Sequence, residues 1–195
     1  SIDELRTDRA LYAEAFATQY RENDHIRGRA VTERYGDRIL VQNPPMPPLE
    51  REELDRVYSL PYERTYHPSY EAVGGIPAIR EVRFSITHNR GCFGGCAFCA
   101  IAYHQGRAVR SRSIDSVVRE AELLTKLPDF KGYIHDVGGP TANFRGPACE
   151  RQLEHGVCPN RRCLTPTPCP NLIADHSEYI ELLQRVESIP GIKKV

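Results

Sequence analysis

Residues 91–107, GCFGGCAFCAIAYHQGR, place Cys92, Cys96 and Cys99 in the spacing C-x-x-x-C-x-x-C, with Gly91, Gly94 and Gly95 around them. Glycine lets a loop wrap tightly and brings backbone amides close to sulfur, where hydrogen bonds tune an iron–sulfur cluster. A 4Fe-4S cluster takes four ligands, so three thiolates would hold one with a single iron open to a small molecule. The same residues also admit a zinc site completed by His88 or His104, or merely packed thiols. Their spacing directly after a strand-like run favours the cluster.

A second group, Cys149, Cys158, Cys163 and Cys169, lies in CERQLEHGVCPNRRCLTPTPC. Four thiols within 21 residues point to one metal site, although the close C-x-x-C pair of most zinc knuckles is missing. An auxiliary 4Fe-4S cluster is the first reading, structural zinc the second and free thiols the third, with His155 as an alternative ligand. Pro159, Pro166, Pro168 and Pro170 stiffen this loop.

The rest of the composition sets bounds on the partners. The 195 residues carry 26 basic and 26 acidic side chains, so no global field marks nucleic acid or an anionic membrane. There is no run of about 18 apolar residues to span a bilayer, and no charged-then-apolar leader. Seven cysteines, an odd number in a chain long enough to build a core, read as thiols or ligands in a reducing cytoplasm rather than as disulfides. The start at Ser1 and the close in PGIKKV, where Pro190 and Gly191 end a helix and a strand begins, read as an internal segment of a larger protein.

The elements that must position these cysteines follow from periodicity. Asp3 to about Tyr20 reads as a helix, AVTERYGDRILVQN as a hairpin turning at Gly36 and Asp37, and Leu49 to Tyr58 as a short helix after the proline-rich NPPMPP. Residues 61–77 show no period. EVRFSITHN then reads as a strand with Val82, Phe84 and Ile86 on one face. Ile114 to Leu127 is a helix capped by Ser113, and GYIHDVGG is a second strand. Tyr179 to Ser188 is a helix preceded by a capping-box spacing at Asp175 and Glu178. Strand, helix, strand, helix and the start of a third strand give an α/β class with a parallel sheet, which binds ligands in the loops after its strand ends. The expected organisation is a helical and hairpin linker region at 1–79 and the first part of a catalytic domain at 80–195.

The cysteine spacing with Phe98 just before the last cysteine resembles the cluster motif of the radical S-adenosylmethionine (SAM) superfamily. More narrowly, RGCFGGCAFCAIAYHQGR, SRSIDSVVREAE, DFKGYIHDVGGPTANF and CPNLIADHSEYIELL resemble the YgiQ family of uncharacterised radical SAM proteins, and VQNPP with LPYERTYHPSY extends the likeness upstream. The resemblance implies a (β/α) partial barrel, incomplete in this chain. It also implies an open iron that binds the amino and carboxylate groups of SAM, and reductive cleavage to a 5′-deoxyadenosyl radical. It places Phe98 near the adenine and Gly138 and Gly139 at the methionine amino group. Pro140 stands where a glutamate is common and has no amide hydrogen to donate. His135 and Asp136 read as substrate-facing or scaffold groups, and HQGR at 104–107 as a cation for SAM or a loop stabiliser.

The resulting expectation is a radical SAM enzyme segment, inactive alone, that needs SAM, an electron donor and a substrate the sequence does not name. Its last strand leaves a sheet edge open to self-association. A non-catalytic iron–sulfur or zinc module that binds a partner is the alternative. RNA also stays open as a partner, because the basic GRAVRSRS can meet phosphate.

Overall fold

The computed structural model describes residues 1–139 and 143–195, so Pro140 lies outside the described residues. The chain begins with α1 (Ile2–Thr7) and α2 (Arg9–Glu22), the hairpin strands β1 (Val31–Tyr35) and β2 (Arg38–Gln42), and α3 (Arg51–Tyr58). It continues through α4 (Ile79–Val82), β3 (Ser85–Thr87), β4 (Asn89–Arg90), α5 (Ile101–Gln105), β5 (Arg110–Ser111), α6 (Ile114–Leu124), β6 (Asp136–Gly138), α7 (Glu150–His155) and α8 (Ser177–Glu187). The fold is mixed α/β with small sheets: an antiparallel β1–β2 hairpin, a parallel β3–β6 pair and an antiparallel β4–β5 pair.

These elements form two compact units. One comprises residues 1–48, 91–109 and 147–173, and the other residues 49–90, 110–146 and 174–195. Both cysteine-bearing loops therefore leave the second unit's chain to join the first, and all seven cysteines belong to that first unit.

In the second unit α6 and α8 pack on the parallel strands. Val117, Ala121, Leu124, Leu182 and Val186 are fully buried with Ile86, Ile134 and Val137. Their helical spacing puts one apolar stripe of each helix against the strands, the arrangement that stabilises an amphipathic helix. Ser113 caps α6, its hydroxyl accepting from the Ser116 amide, and the Asp55 carboxylate accepts in turn from the Ser113 amide. Lys194 bridges Tyr133 in parallel, which bears out a third strand beginning in the last residues.

In the first unit, Asp24 ties the α2 end to the 147–173 loop. Its buried carboxylate accepts from the amides of Val157, Ile26 and Arg27 at 2.8 to 2.9 Å. Burial opposes the charge, yet these amides and the Arg27 guanidinium outweigh it and hold the carboxyl below its ordinary range.

Three local expectations change. The first helix is broken at Asp8, whose extended backbone and carboxylate, accepting from Ala10 and Leu11, start a new helix. Aspartate satisfies free amides better as a cap than inside a helix. The run from Glu81 is not one strand. Glu81 and Val82 belong to α4, Val82 is exposed, and pairing begins only at Ser85. The aperiodic stretch before it holds a 3-10 turn, Pro68–Val73, opened by proline and closed by Gly74 at φ 92°.

Candidate metal and cofactor site

The Cys92–Cys99 loop is pinned at its Gly91–Cys92 end before any sulfur is placed. The Gly91 amide donates to the Gln105 side chain and the Cys92 amide to the Gly106 carbonyl, at 3.3 and 3.0 Å. Gly91 sits at φ 79°, and a Cβ there would lie 2.1 Å from the Ala108 carbonyl oxygen, so only glycine permits the close strand-to-loop return. Within the loop the Gly94 amide points at the Cys92 Sγ, 3.4 Å away. A Cβ on Gly94 would lie 3.3 Å from the Cys92 sulfur and 3.7 Å from the Cys96 sulfur, so two of the thiols flank a position that carries no side chain. The Cys99 amide closes a turn on the Cys96 carbonyl at 3.2 Å.

This donor set fits a cluster with three protein ligands: the thiols are unpaired, two converge on a glycine, and an amide is directed at sulfur. Among the described residues no three His, Cys, Asp or Glu side chains stand where one metal ion would reach them all. Phe98 is 93 % exposed and lines, with Cys96, Cys99, Tyr20, Tyr103 and Arg162, an open cavity of about 540 Å³. That volume is in the range of small-molecule sites. Phe16, Tyr20 and Tyr103 form its aromatic wall, with ring centroids 5.9 to 6.2 Å apart.

The HQGR segment separates into two roles. His104 lies in the last turn of α5, whereas Arg107 is 4 % exposed, its guanidinium over the Tyr20 ring at 4.8 Å. The four later cysteines also lie in this unit, Cys149 at the start of α7 and the other three beyond it, and His155 is exposed beside Glu154.

The glycine pair belongs to the other unit. Gly138 ends β6, and a Cβ on Gly139 would sit 2.0 Å from the Asn89 Oδ1, so Asn89 packs into the space a side chain would need. Asn89 is buried, and neither its oxygen nor its nitrogen has a hydrogen-bond partner among the described residues. Periodicity gave no sign of this polar group. Its signal was the position of THN at a strand end, where parallel sheets bind ligands. Asp136 lies on the same strand, its carboxyl raised by burial, while His135 stands edge-on to Phe84 and its Nδ1 meets the Glu81 carbonyl.

His88 precedes Asn89 and is fully buried, with Nδ1 3.4 Å from Arg145 and Nε2 without a partner among the described residues. Burial first, then the Arg145 and Arg112 cations, push its pKa down to about 3. The unfolded chain therefore binds a proton below about 6.5 that the native state refuses, so stability falls as pH drops from there toward 3. His88→Gln should flatten that slope by up to about 1.4 kcal/mol per pH unit in urea unfolding between pH 7 and 5. An unchanged slope would show that the ring titrates normally.

Comparison with known proteins bears on the same residues. Residues 1–85 match the family model described as Radical SAM N-terminal. The whole chain is 57% identical to a UPF0313 protein of Clostridium botulinum strain 657 and 58% identical to one of Clostridium perfringens strain ATCC 13124. In each case the match covers 100% of this chain and 30% of the relative, so the chain spans under a third of those proteins. No solved structure matches. These likenesses support a radical SAM relationship. Among the described residues no helix is long and apolar enough to cross a membrane.

Proposed function

We propose that this chain is the cluster-bearing segment of a radical SAM enzyme of the YgiQ type, with Cys92, Cys96 and Cys99 as the ligands of a 4Fe-4S cluster. The observation that carries the reading is the Gly94 position, where the Cys92 and Cys96 sulfurs approach a missing side chain and an amide is aimed at sulfur. The likeness of residues 1–85 to a radical SAM N-terminal model supports it independently of the cysteines. When bound, the cluster supplies the electron that cleaves SAM, chemistry that side-chain acids and bases cannot perform.

The protein's own residues prepare that chemistry. Three thiolates leave one coordination position free, and the glycines let the loop close without side chains in the way. Phe98, Tyr20 and Tyr103 offer apolar surface in the adjoining cavity, suited to an adenine ring. Gly138 and Gly139, at the end of β6, are the backbone that the resemblance gives to the methionine amino group. The compartment is a reducing cytoplasm, consistent with seven free thiols.

The test is anaerobic incubation of the reconstituted full-length protein with SAM and dithionite. The expected product is 5′-deoxyadenosine, formed only with reductant. Iron-loaded protein that yields none under these conditions would favour a metal-binding interaction module.

A further inference from the structure

Arg107 is tied to the first cysteine loop by its backbone and by its side chain. The residues on either side of it hold the loop entrance: the Gly106 carbonyl accepts from the Cys92 amide at 3.0 Å, and the Ala108 carbonyl lies against Gly91, where a Cβ would be 2.1 Å from its oxygen. The Arg107 carbonyl itself accepts from the buried Gln152 side chain at 2.9 Å. From that anchored backbone the side chain reaches Gly95, the residue before Cys96. A Cβ on Gly95 would lie 3.8 Å from the Arg107 Nη2 and 3.0 Å from the Tyr20 Oη. The guanidinium therefore runs alongside the segment from Cys92 to Cys96, and residues 20, 91–107 and 152 all belong to the first unit.

The charge of this side chain is unanswered. Arg107 is 4 % exposed, its Nε and Nη2 are buried without a hydrogen-bond partner among the described residues, and no salt bridge reaches it among them. The buried Tyr20 Oη beside it also lacks a partner among the described residues. A buried unpaired cation is costly, and the Tyr20 ring at 4.8 Å offsets only part of that. Its surroundings call for an anion, and the loop it lies along carries the thiols assigned above to the cluster. We propose that Arg107 is a positioning residue of that loop, its guanidinium the buried counter-charge that raises the reduction potential of the cluster held by Cys92, Cys96 and Cys99. This rests on the cluster function proposed above.

The direction follows from charge. A 4Fe-4S core with three thiolates carries about one negative charge when oxidised and about two once a single electron has arrived from the reductant. A fixed cation favours the second state over the first. A unit charge about 10 Å from an added electron, at an effective dielectric of about 20, shifts its equilibrium about tenfold. Burial protects such an effect from screening by salt, and arginine stays charged where lysine readily gives up its proton.

Potentiometric titration of the full-length protein, reconstituted anaerobically and followed by electron paramagnetic resonance, tests this without reference to activity. The signal to follow is the one lost in the triad variant Cys92→Ala, Cys96→Ala, Cys99→Ala. Arg107→Gln should lower the reduced-to-oxidised ratio of that cluster about tenfold at a fixed potential, a shift of about 59 mV to more negative values for one electron. Arg107→Lys should recover most of the shift, and Arg107→Met repeats the neutral measurement with a different side chain should the glutamine variant not fold. Iron analysis of each protein separates a changed potential from a lost cluster. An iron-loaded neutral variant with the wild-type potential would overturn the proposal and leave water as the partner of the guanidinium. Equal shifts in the lysine and neutral variants would also overturn it, because packing and not charge would then be at work. A triad variant that keeps the wild-type iron count and signal would instead overturn the cluster function itself, and this proposal with it.

Discussion

Cys96→Ala in the full-length protein should remove about four irons per chain and lower SAM-dependent 5′-deoxyadenosine formation by more than about a hundredfold. The fold should survive the change. Cys96 is exposed, and its carbonyl, which accepts from the Cys99 amide, is untouched by the substitution. Loss of metal with an unchanged denaturation midpoint would therefore separate a ligand from a structural cysteine. The measurement pairs iron and sulfide analysis with chromatography of the nucleoside product, and full product formation by the variant would remove Cys96 from the ligand set.

Arg112→Met should cost the second unit about 3–5 kcal/mol, the largest stability effect expected from a single side chain. Arg112 is 1 % exposed and sits over the Tyr58 ring at 4.2 Å. It donates to the Thr87 carbonyl, to the Ser116 hydroxyl and carbonyl, and to the buried Glu120, which also pairs with Arg64. Removing the guanidinium leaves a half-paired carboxylate and bare carbonyls where no water reaches. Adding Glu120→Leu should recover a large part of the loss, since two apolar side chains replace a buried pair at lower cost than one charge left behind. Urea unfolding of the single and double variants reads both effects. Equal destabilisation by the double variant would show that packing around Arg112, and not its charge, sustains the unit.

What the sequence made legible was what depends on short-range pattern. The hairpin at Gly36 and Asp37, the apolar stripes of α6 and α8, the Ser113 cap and the strand start at Lys194 all follow from periods and caps that neighbouring residues set. Long-range placement was less readable. Nothing near Glu81 says that Ile79–Val82 turns as a helix before Ser85 pairs with Asp136, because that depends on which segment the strand meets. The gathering of residues 1–48, 91–109 and 147–173 into one unit is likewise invisible to local pattern.

The candidate site divides in the same way. Cysteine spacing carried the expectation of metal chemistry, and glycine beside sulfur announced the tight loop. The buried charge of Arg107 was hidden, since an arginine in a glycine-rich loop reads as a solvated cation until its partners are seen to be absent. Asn89 was hidden for the converse reason. Its side chain fills the space left by Gly139, 50 residues away in sequence, and only the parallel pairing of β3 with β6 brings that strand end beside it.

The central claim is that the first cysteine loop holds a cluster with one iron open to SAM. Its most direct measurement is electron–nuclear double resonance on the dithionite-reduced protein, with SAM labelled by nitrogen-15 at the amino group and oxygen-17 at the carboxylate. The expected result is hyperfine coupling of both labels to the cluster, present in the Cys158→Ala, Cys163→Ala variant and lost in Cys96→Ala. A reduced, iron-loaded protein whose spectrum shows neither coupling would contradict it.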